Sequence, residues 1–181
     1  MRALKIDEAR IVLVKIIKFQ GGFLTFFLKK YMKDAYVFRL QKKRIFFSTI
    51  IIISRAVTFS KKKIGSFGTC IGRFDKSNKF YFLISALNFF LKWTKFNSAF
   101  INDIGEKAFV FGKHLKKENL QQITRNIFSN EGVVIIAKNG CPLGFGEILK
   151  NSSELARISD KETVIINQAD IGRYIRITNR I

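Results

Sequence analysis

The residue types that enzymes most often use for chemistry are few in this sequence and do not cluster. The single histidine, His114, has no serine or cysteine nucleophile beside it. Cys70 and Cys141 lie far apart and form no CxxC pair, whereas a structural zinc site needs about four ligands. The acidic residues are scattered and give no pair for general acid–base catalysis. We therefore predict that the protein is not an enzyme and has no catalytic residues, no metal site, no cofactor and no small-molecule substrate.

The chemistry that the sequence does offer is the binding of negative charge. The chain carries 33 Lys and Arg against 13 Asp and Glu, a net charge of +20, which favours a polyanionic partner such as nucleic acid. The basic residues form clusters that together predict a phosphate-binding surface. The clusters are Lys29-Lys30, Lys42-Lys43-Arg44, Lys61-Lys62-Lys63, Lys113 with Lys116-Lys117, and Arg173 with Arg176 and Arg180. From these we predict eight RNA-binding residues: Lys61, Lys62, Lys63, Lys113, Lys116, Lys117, Arg173 and Arg176.

A membrane surface is the other polyanion to consider. Two apolar runs, residues 45–53 and 80–91, are both well short of the roughly 20 residues that span a bilayer. Charged residues also flank both runs, and no basic amphipathic segment has a continuous apolar side. We predict that both runs are buried elements of a soluble fold and that the protein has no membrane partner.

Charge is divided unevenly along the chain. Residues 1–92 hold 20 Lys and Arg against 4 Asp and Glu, and residues 93–181 hold 13 against 9, which gives net charges of +16 and +4. A change of composition of this kind marks a domain boundary. We predict two domains, 1–94 and 95–181.

The elements that must position these residues can be predicted from periodicity and turn signals. In the first domain, Asp7 to Phe19 has the apolar face of a helix, and residues 50–57 favour a second helix. Ser85 is a candidate N-cap for a short helix that ends at Leu91. Strands are predicted at 36–40, 44–47, 66–74 and 80–84.

The second domain has short β-branched runs separated by Gly, Asn, Asp and Pro. This pattern predicts a small barrel with one or two helices. Strands are predicted at 99–101, 109–111, 133–137, 145–149, 164–167 and 174–177, with a helix at 118–128. On a strand at 174–177, Arg173 and Arg176 would point to opposite faces. Gly144, Gly146 and Gly172 are predicted to be structural turn glycines, because Gly144-Phe145-Gly146 lacks the Lys-Ser/Thr of a phosphate loop.

Several motifs in this order carry a resemblance that runs nearly end to end. They include Gly68-Thr69-Cys70, Phe111-Gly112, Gly132-Val133-Val134, Pro142-Leu143-Gly144-Phe145-Gly146 and Gln168-Ala169-Asp170-Ile171-Gly172 with Tyr174. In combination they resemble the family of large-subunit biogenesis factors known as "nuclear import protein seven". The resemblance implies an α+β protein in which an α/β pre-PUA domain packs on a C-terminal PUA barrel, the RNA-binding module named for pseudouridine synthase and archaeosine transglycosylase.

The resemblance also implies a function. Members of this family are non-enzymatic factors of the nucleus and nucleolus. They bind single-stranded, U-rich pre-rRNA, associate with the pre-60S ribosomal particle and other assembly factors, and support rRNA processing. RNA contact is expected mainly from the PUA domain, where Arg173 and Arg176 occupy the basic region near the C-terminus.

The chain departs from the family pattern at two places. Relatives carry Lys-Ser-Gly in the first PUA loop where this chain has Lys117-Glu118-Asn119, so a glutamate stands beside the expected phosphate path. Lys5 stands where relatives often have an N-capping threonine, which should weaken the first helix by roughly 1 kcal/mol.

Two other functions agree with the charge and size of the chain. It could be the RNA-targeting subunit of an rRNA or tRNA modification enzyme, since PUA domains accompany such enzymes. It could also be a basic ribosomal protein. Sedimentation distinguishes these, because an assembly factor leaves before the mature ribosome forms.

Overall fold

A computed structural model describes residues 1–19, 36–56, 67–91 and 97–178. The chain divides into two compact units, one with Met1–Ile17 and Gly22–Ala86 and the other with Lys18–Gly21 and Leu87–Ile181. The predicted domain boundary between residues 94 and 95 falls outside the described residues and stays a prediction. Lys61, Lys62 and Lys63 also lie outside them.

The first unit is built on a five-stranded antiparallel sheet whose strands follow one another in chain order. The strands are β1 (Arg2–Ala3), β2 (Tyr36–Gln41), β3 (Arg44–Thr49), β4 (Thr69–Phe74) and β5 (Phe80–Phe82). Among the described residues two helices accompany them, α1 (Ile6–Lys18) and α2 (Ile50–Ala56). Both helices were predicted, and the strand predictions at 36–40 and 44–47 are confirmed.

Helix α1 buries the apolar face that its sequence predicts. Val12 and Ile16, four residues apart on one face, are fully buried. At its start, the backbone N–H of Lys5 donates to Glu8 Oε2 at 2.8 Å, and Arg2 forms an ion pair with Glu8 at 2.6 Å. The Glu8 carboxylate thus stabilises the helix start, where Lys5 stands in place of the capping threonine that the resemblance implies.

The end of the first unit corrects one expectation. A 3₁₀ turn at Ile84–Ala86 precedes the short helix α3 (Leu87–Leu91). The Ser85 hydroxyl donates to the Cys70 carbonyl and does not cap α3. The predicted strand at 80–84 therefore stops at Phe82.

The second unit is a six-stranded, nearly closed sheet in the order β7-β11-β10-β9-β6-β8. Its strands are β6 (Ser98–Ile101), β7 (Leu115–Lys116), β8 (Leu120–Ile123), β9 (Gly132–Ala137), β10 (Pro142–Ile148) and β11 (Thr163–Asp170). Of the strand pairs in the described part of the chain, β6 and β9 alone are parallel. A single 3₁₀ turn, Lys117–Asn119, joins the two outer strands β7 and β8. The predicted α+β class and C-terminal barrel are confirmed.

Besides α3, which begins this unit, two helices complete it among the described residues: α4 (Asp103–Val110) and α5 (Gly172–Thr178). Both replace predicted strands, at 109–111 and 174–177. Helix α4 forms because the Asn102 side chain accepts a hydrogen bond from Gly105 N at 2.8 Å, and acidic residues occupy the first turn. The helix predicted at 118–128 is also wrong, because residues 120–123 pair with β6 as strand β8.

The barrel core explains why the elements around it are fixed. Phe109 of α4 is fully buried in this core. Burial of one such ring contributes roughly 1.5–3 kcal/mol.

Gly144 and Gly146 lie inside β10 and not in turns, which corrects the predicted location. A Cβ on Gly144 would meet the Ala169 carbonyl, and a Cβ on Gly146 would meet the Ile166 carbonyl.

Candidate nucleic-acid interface

The two C-terminal arginines lie on helix α5, which follows β11 directly. Gly172, its first residue, lies against the Val110 carbonyl of α4, and a Cβ there would collide with that oxygen. This close approach brings the end of α4 beside α5. Because α5 is a helix, the expectation that Arg173 and Arg176 point to opposite faces of a strand does not apply.

Arg176 is partly buried and is held by hydrogen bonds to the fold. Its guanidinium donates to both carboxylate oxygens of Asp170, at 2.9 and 3.0 Å, and also to the Val110 carbonyl. Asp170 is 4% exposed. The hydrogen-bonded carboxylate raises the pKa of Arg176 above its ordinary value, so the guanidinium stays charged. Arg176 therefore joins the C-terminal ends of β11, α4 and α5, and its predicted contact with RNA stays a prediction.

Arg173 differs from Arg176 in its surroundings. It is exposed, and it forms no ion pair with any carboxylate in the part of the chain that the structure describes. Its neighbours Tyr174 and Ile175 are each 61% exposed. Arg173 thus presents its charge to solvent from a helix that Arg176 fixes in place.

The loop between α4 and β7 lies beside the same helix. Phe111 is 71% exposed, and Lys113 and His114 are also exposed. Gly112 adopts a left-handed backbone, and a Cβ on it would lie 3.3 Å from Arg176 Nη2. His114 Nδ1 accepts a hydrogen bond from Asn167 N at 3.2 Å, which ties the loop to β11.

We name these residues the α4–α5 surface: Phe111, Lys113, His114, Arg173 and Tyr174. Exposed cations beside exposed rings are what single-stranded RNA binding requires, since the cations contact phosphates and the rings stack on bases. Sequence reasoning identified Lys113 and Arg173, and it missed Phe111 as a binding residue. The run Phe111-Gly112-Lys113-His114 places a ring, a glycine and a lysine together, but the sequence alone does not show that this ring is exposed.

The structure separates Lys116 and Lys117 from Lys113. Lys117 Nζ donates to the Ile158 carbonyl at 2.8 Å and forms an ion pair with Asp160 at 3.1 Å. Lys116 lies 3.6 Å from Glu118. Both ammonium groups therefore have carboxylate neighbours, which lowers their attraction for phosphate. The RNA contact predicted for Lys116 and Lys117 stays a prediction. Their ion pairs leave less positive charge available for it.

Two further observations concern metal-binding groups and membrane-spanning helices. Among residues 1–19, 36–56, 67–91 and 97–178, no three His, Cys, Asp or Glu side chains come together in a group that could hold a metal. In the same ranges, no helix has both the length and the apolar character needed to cross a bilayer.

Comparison with known proteins gives the class to which this fold and surface belong. Residues 1–84 match the family model "NIP7/UPF0113, pre-PUA domain", and residues 97–179 match "UPF0113 PUA domain". The solved structure of a hypothetical protein from Pyrococcus horikoshii OT3 aligns with a TM-score of 0.56 over 92% of each chain, at 10% identity. A PUA domain from Aeropyrum pernix K1 aligns with a TM-score of 0.54 over 94% of this chain and 85% of its own, at 15% identity. The class is that of proteins with a pre-PUA domain followed by a PUA domain.

Sequence relatives identify the family within that class. The "60S ribosome subunit biogenesis protein NIP7 homolog" of Rattus norvegicus is 34% identical over 176 residues, which is 97% of each chain. The "60S ribosome subunit biogenesis protein nip7" of Schizosaccharomyces pombe is 31% identical over the same length and coverage. The chain belongs to the NIP7 family, as its motifs indicated.

Proposed function

We propose that this protein is a non-enzymatic RNA-binding assembly factor of the large (60S) ribosomal subunit. One observation supports this above the others: a chain related to 60S biogenesis proteins over nearly its full length has a PUA domain with an exposed cation-and-ring surface. The proposal includes no catalytic step, since the relatives are named for biogenesis and not for a reaction.

The proposed RNA ligand is single-stranded, U-rich pre-rRNA on the α4–α5 surface. Lys113 and Arg173 would contact phosphates, and Phe111 and Tyr174 would stack on unpaired bases. Exposed rings suit a flexible strand better than a duplex, whose bases are already stacked on one another. The proposed partners beyond RNA are the pre-60S particle and its other assembly factors, and the proposed location is the nucleus and nucleolus.

Sedimentation of the tagged protein from cell extract tests the role in assembly. We expect the protein in fractions that contain precursors of the large subunit, and not in mature ribosomes or polysomes. Fluorescence imaging of the same cells should place it in the nucleolus. Retention in polysomes would make it a ribosomal protein, and co-purification with a modification enzyme away from pre-60S particles would make it a targeting subunit.

A further inference from the structure

The two hairpins of the first unit place their turns side by side. Lys42 and Lys43 form the turn between β2 and β3, and residues 75–79 form the turn between β4 and β5. The Lys43 carbonyl accepts a hydrogen bond from Phe74 N at 2.8 Å, and Lys43 Nζ donates to the Asp75 carbonyl at 3.1 Å. The two turns therefore form one continuous end of the sheet.

This end of the sheet is strongly basic. We name six residues the hairpin-tip surface, and all six are exposed: Lys42, Lys43, Arg44, Arg73, Lys76 and Lys79. None of them forms an ion pair with a carboxylate among the described residues, where the first unit's ion pair joins Arg2 to Glu8. The one carboxylate in the two turns, Asp75, accepts hydrogen bonds from Ser77 Oγ and Lys79 N. It is therefore occupied by its own turn.

The fold places these charges here against local preference. Lys42 and Lys43 have φ values of +45° and +65°, the left-handed region that Asn-Gly turns adopt most easily in two-residue hairpins. Arg44 pairs directly with Arg73 across β3 and β4, and like charges opposite one another destabilise a sheet. Both unfavourable choices occur at the same end of the sheet. Folding does not account for them, whereas an anionic ligand does.

The same face of the sheet extends the positive charge. Arg44, Arg73 and Tyr81 follow one another in register across β3, β4 and β5 and share one face. Lys15 Nζ of α1 lies 5.5 Å from the centroid of the Tyr81 ring. Because Lys15 already lies over that ring, the face offers cations to phosphates and little stacking area to bases.

We propose that the hairpin-tip surface binds the phosphate backbone of RNA without reading its bases. This inference rests on the proposed function for the presence of an RNA ligand, and it adds a second contact region in the pre-PUA domain. An acidic protein segment is the less favoured ligand. Protein interfaces centre on apolar and aromatic side chains, and the two turns carry none that is exposed.

The salt dependence of RNA binding tests this surface directly. The test variant is Lys42→Gln with Arg44→Gln and Lys76→Gln. The matched control is Lys5→Gln with Arg10→Gln and Lys138→Gln, which removes the same charge from exposed positions outside both surfaces. Affinity for a 30-nucleotide oligouridine is measured by fluorescence anisotropy over a range of KCl concentrations. Each phosphate contact contributes about 0.7 to the slope of log K against log salt on single strands.

We expect the slope of the test variant to fall by about 2 if all three residues contact phosphate, while the control keeps the wild-type slope. Both variants should melt within a few degrees of wild type, since exposed substitutions change stability little. An unchanged slope in the test variant, with wild type binding oligouridine, would overturn this inference and leave the proposed function intact. Failure of wild type to bind RNA would remove both. Binding of poly-glutamate is measured in parallel as a model of an acidic protein segment. If the test variant loses poly-glutamate binding but keeps the wild-type RNA slope, the surface binds an acidic protein and the RNA proposal is overturned.

Discussion

The two units use positive charge in different ways. The first contains most of it, whereas four of the six described ion pairs lie within residues 97–178 of the second unit. In the second unit the cations that remain available stand beside exposed rings, as Phe111 and Lys113 do. In the first they stand together in turns, as Lys42 and Lys76 do. Net charge thus predicts a polyanionic ligand, and the placement of the charges predicts whether bases or only phosphates are contacted.

The largest loss of stability should come from adding a side chain at Gly144, which lies in strand β10 of the second unit. Gly144→Ala would force a Cβ against the Ala169 carbonyl and Asp170 Cα, and we expect a loss of roughly 3 kcal/mol or more in unfolding free energy. Gly140→Ala is the control, because Gly140 also has positive φ but no atom within 4 Å. It should cost about 1 kcal/mol by denaturant unfolding. Lost RNA binding at full stability in Gly144→Ala would indicate direct contact instead.

Substitutions of the two arginines of α5 should distinguish a residue that stabilises the fold from a residue that binds RNA. Arg176→Ala leaves the buried Asp170 without its cationic partner, and we expect a loss of about 2 kcal/mol in stability once the partial exposure of Arg176 is allowed for. Arg173→Ala should change stability by less than about 0.5 kcal/mol. It should nevertheless lower the salt slope of oligouridine binding by about 0.7. Equal stability losses in the two variants would contradict this division of roles.

Phe111→Ala tests whether the second unit contacts bases. Loss of one stacking ring should weaken oligouridine binding by about 1–3 kcal/mol, with the salt slope unchanged. Ile104→Ala is a matched control, since Ile104 of α4 is 72% exposed against 71% for Phe111. Fluorescence anisotropy would measure both affinities. If the two substitutions had the same effect, the ring would not be a base contact.

These residues also show what the sequence could and could not predict. Helix α1 and strands β2, β3 and β9 follow from local periodicity, so their predictions hold. Strand β8 forms only because β6 pairs with it, and α5 forms where β-branched residues favoured a strand. The partner of Lys117 is Asp160, 43 positions away, and no spacing rule finds such a pair. The exposed ring at Phe111 could not be separated from the other 19 phenylalanines without the fold.

Arg73→Gln tests the unfavourable charge pair in the first unit. Removing the repulsion with Arg44 should raise the free energy of unfolding by a few tenths of a kcal/mol, while RNA binding weakens. Arg10→Gln, an exposed change on α1, should alter neither quantity. A loss of stability in Arg73→Gln would mean that this arginine serves the fold, and its conflict with Arg44 would no longer indicate a ligand.

The smallest effect should come from the ion pair at the start of α1. The hydrogen bond from Arg2 lowers the pKa of Glu8 to about 2, below its ordinary 4.5. A depressed carboxyl pKa stabilises the fold above pH 4.5 and loses that contribution as the pH falls toward 2. Glu8→Gln should therefore melt below wild type at pH 7, with a difference that shrinks in acid. A difference that stays constant with pH would exclude this linkage.

Crosslinking in cells, followed by sequencing of the attached RNA, tests the central claim that this protein binds the precursor of large-subunit rRNA. We expect reads from large-subunit rRNA, including segments removed during maturation, with enrichment at unpaired U-rich stretches. Crosslinked peptides from the same sample should come from both the α4–α5 surface and the hairpin-tip surface. Reads confined to small-subunit rRNA or to tRNA would contradict the account.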